Sequence, residues 1–195
     1  MFQPMQLKTG DIVLFHGKGF FSWAIKFSTK SNWSHVGMVV NDPDVHEEPM
    51  IFESTTLSNV RDSLTGKRRG GVQLVSYKDR INSYNGKIAV RPLNVSRSDA
   101  FEEKVKNIIN QLHGREYEES LWQLANSSWD LLPISENKED LSSVFCSELV
   151  AHIYQELGFL DESKPSNEYT PGDFEENAKL ELLTGKLLGE VPVKG

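Results

Sequence analysis

The stretch Ser143-Val144-Phe145-Cys146-Ser147-Glu148-Leu149-Val150-Ala151-His152-Ile153-Tyr154-Gln155-Glu156-Leu157-Gly158 holds the only cysteine of the chain. Leu149, Val150, Ile153, Tyr154 and Leu157 recur at helical spacing, and Gly158 is placed as a stop. Cys146 shares their apolar face, so its thiol points toward the protein body. The pattern predicts that Cys146 lies in the first helical turn, where the helix dipole favours thiolate. A single cysteine has no intrachain disulfide partner. It is either a small core residue or a nucleophile.

On the N-terminal side, the segment Ser135 to Asp140 reads as a polar loop. Before it, Glu119 to Leu131 reads as a helix ended by Pro133. Ser98 reads as the cap of a helix with Phe101, Val105, Ile108, Ile109 and Leu112 on one face, closed at His113-Gly114. The first half of the chain is strand-like. Asp11 to Phe15, Val36 to Val40, Met50 to Glu53, Val72 to Val75 and Lys87 to Arg91 are short β-type runs. Tyr77 to Tyr84 reads as a short helix, and Pro171-Gly172-Asp173 as the start of a last one. Strands followed by helices predict one α+β domain over residues 1–195, built on an antiparallel sheet.

A nucleophilic cysteine needs a base, and the base needs a group that orients it. Of the histidines, His152 turns toward the polar side of the Cys146 helix. His113 suits a helix end, and His46 lies in an acidic loop. His16 stays open as a candidate. His35 is the better one, at the head of a strand with Gly37 beside it on the same face. If the following turn centres on Asp44, Val39 pairs with Pro49 and His35 with Glu53. Directly opposed side chains lie about 4.5–5.5 Å apart at Cβ. A carboxylate after Ile51-Phe52 needs a partner, and an imidazole there supplies it. No His-Glu-x-x-His motif and no cysteine pair suggests a metal site. No Gly-x-Ser-x-Gly elbow suggests a serine hydrolase.

Taken in order, Gly10-Asp11-Ile12-Val13, Ser34-His35-Val36-Gly37-Met38, Phe52-Glu53-Ser54 and Phe145-Cys146-Ser147-Glu148-Leu149-Val150 resemble the circularly permuted NlpC-type papain-like superfamily. The branch is similar to YiiX-like bacterial proteins and a small poxvirus protein. Gly71-Val72-Gln73-Leu74, Gly114-Arg115-Glu116-Tyr117-Glu118 and Tyr169-Thr170-Pro171-Gly172-Asp173-Phe174 extend the likeness across most of the chain. Glu118 stands where aspartate is more usual. The resemblance implies a permuted papain-like fold, with the sheet packed against a helical bundle that carries the cysteine. It implies Cys146 as nucleophile, His35 as base and Glu53 as the group orienting His35, with no metal and no cofactor. The implied chemistry is cleavage of an amide, peptide or ester bond through a thioester. Two other readings stay open: a lipid-dependent acyltransferase of the lecithin retinol acyltransferase-like type, and a non-catalytic module binding peptides or cell-wall fragments. Trp33, Ser34 and Tyr117 are candidate substrate contacts. Phe20, Phe21, Trp23 and Phe27 are candidates for a cleft wall. The backbone N–H of Cys146 is the expected oxyanion donor.

Of 195 residues, 38% are apolar and 25% charged, which fits a globular chain with a substantial core. The net charge of −7 argues against nucleic acid as a partner. Lys67-Arg68-Arg69 is the one basic cluster and reads as a solvated loop. No apolar run is long enough for a transmembrane helix, though peripheral contact with a membrane is compatible with an acyl-lipid substrate. One cysteine and no signal-like N-terminus suit a reducing, cytoplasmic setting.

Overall fold

The computed structural model describes residues 6–17, 31–42, 46–115 and 138–195, with the backbone alone for 138–144. Strands β1 (Ile12–Gly17), β2 (His35–Val40), β3 (Met50–Thr55) and β4 (Gly71–Ser76) are followed by helix α1 (Tyr77–Ser83). Then come β5 (Gly86–Arg91), β6 (Leu93–Asn94), α2 (Asp99–Leu112) and α3 (Lys138–Glu156). Two 3-10 turns (Ser166–Glu168 and Pro171–Phe174) lead to β7 (Lys186–Leu187) and β8 (Val191–Lys194). The main sheet is six-stranded and antiparallel, in the order β4-β3-β2-β1-β5-β8; β6 and β7 pair separately. This is a mixed α+β arrangement, as the run of strands followed by helices predicted.

Strand alternation sorts the core into two layers. Ile12, Leu14, Val36, Met38, Val40, Met50, Phe52 and Leu74 pack with α2 and α3, whose Ile108, Leu112, Cys146, Val150 and Ile153 join the same cluster. Val13, Phe15, Val39, Ile51, Val75, Ile88 and Val90 form the opposite layer, against Tyr77, Ile81 and Tyr84. Helix α3 lies over β2 and β3. The Tyr154 hydroxyl seats it on the sheet by donating to the Gly10 carbonyl at 2.6 Å, and Ser147 donates to the Tyr169 carbonyl at 2.6 Å. Beyond its end, Gly158 takes φ +76°, the left-handed conformation that favours glycine after a helix. Ser98 caps α2 by accepting from the Phe101 N–H at 3.3 Å.

Two local expectations are corrected. The β2–β3 register is Val39 with Ile51 and Val40 with Met50, two residues displaced from the pairing of Val39 with Pro49. Pro49 has no N–H for the ladder, and its carbonyl instead accepts from the Tyr77 N–H at 3.0 Å. An even slip keeps His35 and Glu53 on one face, so Glu53 comes opposite Gly37 and sits diagonally from His35. The second correction concerns α3, which begins at Lys138 and absorbs the end of the expected polar loop. The run Lys138-Glu139-Asp140 carries no apolar periodicity from which a helix start can be read. The expected helix Glu119 to Leu131 falls outside the described residues.

Gly37 is required by packing. A Cβ there would stand 2.7 Å from Ile51 Cγ2 and 3.3 Å from Glu53 Cβ. The space beside His35 is therefore filled by β3 and is not free for a helix or substrate. Gly37→Ala is expected to cost about 1–3 kcal/mol through overpacking. Urea unfolding measures this, and an unchanged midpoint would contradict the packing.

Candidate functional site

His35 opens β2 directly across from Phe15, and the two rings pack with centroids 5.1 Å apart. Its side chain lies on the α1 face of the sheet, together with Glu53 and Gln73. His35 Nε2 and Glu53 Oε2 are 2.8 Å apart. On the other side of the ring, a side-chain hydrogen bond joins His35 to Cys146, which comes from α3 on the opposite face. At the first residue of the strand the ring stands at the end of the sheet, where side chains from the two faces can meet. With Nε2 committed to Glu53, Nδ1 is the nitrogen left for sulfur. Cys146, His35 and Glu53 are thus brought together in a buried chain, with relative exposures of 0%, 8% and 0%.

The carboxylate has a second partner that is not legible in the sequence. Arg80, on the short helix α1, is 1% exposed. Its Nε donates to Glu53 Oε1 at 2.8 Å, its Nη2 donates to the same oxygen, and its Nη1 donates to Asn59 Oδ1 at 2.7 Å. Gln73 Nε2 adds a bond to Glu53 Oε1 at 3.2 Å. In sequence, Arg80 sits in the short helix expected over Tyr77 to Tyr84, where nothing in Lys78-Asp79-Arg80 marks one charged residue as buried; the only signal is the unmatched second oxygen of a buried carboxylate. Tyr84, just after α1, packs on Phe15 with centroids 4.9 Å apart and shares a side-chain hydrogen bond with Ser34.

Burial works against the Glu53 charge, but Arg80 and then His35 overcome it and hold the carboxyl down at about 2. Burial likewise opposes charge on His35, but its interaction with Cys146 and then with Glu53 outweighs it and raises the imidazole to about 9. The stability contributed by Glu53 is present above its ordinary value of 4.5 and is lost as pH falls through about 2. That of His35 is complete below 6.5 and is lost as pH rises through about 9. Thermal unfolding against pH is expected to decline on both flanks. In Cys146→Ala the alkaline flank should shrink, because Cys146 is the leading cause of the His35 shift; an unchanged flank would contradict the contact.

Of the candidate substrate contacts, Trp33 and Ser34 adjoin His35 but are buried with partners of their own. Trp33 Nε1 donates to Glu190 Oε1 at 3.0 Å. Ser34 Oγ accepts from the Gly17 N–H at 3.1 Å and donates to the Phe15 carbonyl at 3.3 Å. Tyr117 and Glu118, like Phe20, Phe21, Trp23 and Phe27, lie outside the described residues. His113 is drawn into a separate pair, its Nε2 at 2.8 Å from Asp62 Oδ2. The Cys146 N–H is not at a helix N-terminus. It lies inside α3, where an amide points at the carbonyl four residues earlier. The expected oxyanion donor and first-turn dipole effect are therefore corrected: the helix extends too far back for either.

No family model matches the chain, and no curated protein matches it. Among solved structures, the chain is similar to the metalloprotein YiiX from Escherichia coli O157:H7, with 21% identity and a TM-score of 0.54, covering 98% of this chain and 99% of that one. The likeness shows a shared fold over nearly the whole length. The word metalloprotein belongs to YiiX, and it prompts a test of the residues here. Among the described residues, no group of three His, Cys, Asp or Glu side chains is arranged to hold a metal ion. Glu53 Oε1 faces the Arg80 guanidinium, whose positive charge opposes a cation there, and His35 Nε2 is engaged by Glu53 Oε2. The described residues do not fit a metal centre. No described helix is long and apolar enough to cross a membrane.

Proposed function

We propose that the protein is a thiol hydrolase acting on an amide, peptide or ester carbonyl, in a permuted papain-like arrangement. The observation that carries this reading is the doubly bonded His35, held by Glu53 through Nε2 and hydrogen-bonded to the buried Cys146 thiol. A base fixed on one side by a carboxylate and aimed on the other at a nucleophile is the constellation acyl transfer needs.

In the first half-reaction His35 takes the thiol proton and the Cys146 sulfur attacks the carbonyl carbon. His35 returns that proton to the leaving amine or alcohol, leaving a thioester on Cys146. Water then attacks the thioester with His35 as base, and the departing thiolate regains its proton. Glu53 stays ionised throughout and holds the ring orientation. The Cys146 sulfur has no exposed surface, so substrate entry has to uncover it.

The test is a panel of activated esters, thioesters and peptide amides incubated with the intact chain and quenched in acid. A hydroxylamine-labile acyl group on Cys146, with release of free acid, is the expected result. Release only as an amide of an added amine would replace hydrolysis by acyl transfer. Turnover that survives in Cys146→Ala would overturn both.

A further inference from the structure

We propose that Arg80 is a positioning residue that neutralises Glu53, so that the carboxylate orients His35 while the proton His35 carries is the one given up by Cys146. This deepens the hydrolase reading and rests on it for its meaning, though its test does not.

The argument is a charge balance inside a buried cluster. The groups around His35 are Glu53 and Gln73 from the sheet, Arg80 from α1, Tyr84 beyond it and Cys146 from α3. The Phe15 ring closes one side. With thiol and imidazole both neutral, the Glu53 and Arg80 charges cancel. When the thiol proton moves to His35, thiolate, imidazolium, carboxylate and guanidinium again sum to zero. The proton transfer that arms the nucleophile therefore runs between two neutral states, which a low-dielectric site strongly favours over any net charge.

Without Arg80 the balance changes. The buried Glu53 carboxylate would be matched only by an imidazolium. His35 would then draw its proton from solvent and have no vacancy for the proton of Cys146. The geometry supports a dedicated role. Arg80 places both Nε and Nη2 on Glu53 Oε1 and leaves Oε2 to His35. Asn59 Oδ1 anchors the far nitrogen Nη1. The carboxylate is thus divided, one oxygen for the charge partner and one for the base.

The experiment follows the His35 ring resonances by NMR against pH in Cys146→Ala, where no turnover and no thiolate contribute. Relative to that parent, Arg80→Gln is expected to raise the His35 midpoint by about one pH unit or more, since one full positive charge near Glu53 is lost. Arg80→Lys should keep it within about half a unit, because the charge remains. Asn59→Asp, at an exposed position, should fold as the parent does and raise the midpoint by a few tenths (about 0.3) by drawing part of the Arg80 charge away. If Arg80→Gln does not fold, Asn59→Asp decides. A midpoint that stays put in the folded variants overturns the proposal. A shift as expected, alongside no thioester on Cys146, would retain the proposal and remove the hydrolase.

Discussion

Cys146→Ala is expected to remove acyl-transfer activity by about 10⁴-fold or more, and His35→Ala by a similar factor. The double variant should fall no further than the worse single one. Nucleophile and base act as one unit, so once either is gone the other has nothing to do. Fold should be retained in Cys146→Ala, which trims one sulfur from a packed site and leaves a cavity smaller than a methylene series creates. Steady-state rates on an activated ester, with circular dichroism as the control, check this. Additive losses, multiplying to the product of the single effects, would mean that Cys146 and His35 act separately.

The second large effect is on stability. Arg80→Ala leaves the Glu53 carboxylate buried at 0% exposure without its main charge partner, and Glu53→Ala leaves a guanidinium at 1%. Breaking a buried pair from one side costs about 3–5 kcal/mol, which for a domain of this length corresponds to about 10 °C in Tm. Replacing both, as Arg80→Met with Glu53→Gln, should restore part of the loss because no unpaired charge remains. Urea unfolding of the four species measures these differences. Equal stability of wild type and Arg80→Ala would contradict the buried pair. The single losses should also shrink in acid, where Glu53 protonates and the pair no longer exists.

How much of this could be read from the chain depends on which interactions are local. The alternation in Val36 to Val40 and Met50 to Glu53 put His35 and Glu53 on one face, and a parity argument survives an even slip of register. The slip itself came from Pro49, whose missing N–H delays the ladder to Met50. The start of α3 is not legible because Lys138-Glu139-Asp140 carries no apolar periodicity and its polarity reads as loop. Arg80 was invisible for a different reason: its partner is 27 positions away in sequence, and nothing in Lys78-Asp79-Arg80 signals burial. The last strand, Val191–Lys194, is short and mostly exposed, joining the sheet edge through backbone pairing with β5 that leaves little trace in side-chain pattern. The meeting of Cys146 and His35 from opposite faces likewise depends on the end of the sheet, which periodicity does not describe.

The central claim is that His35 and Cys146 work as a couple. The most direct measurement is the rate of Cys146 alkylation by iodoacetamide at neutral pH, followed by intact mass and peptide mapping, in wild type and in His35→Ala. The coupled site predicts a single adduct on Cys146 that forms at least about tenfold more slowly without the imidazole. Equal rates in the two proteins would contradict it.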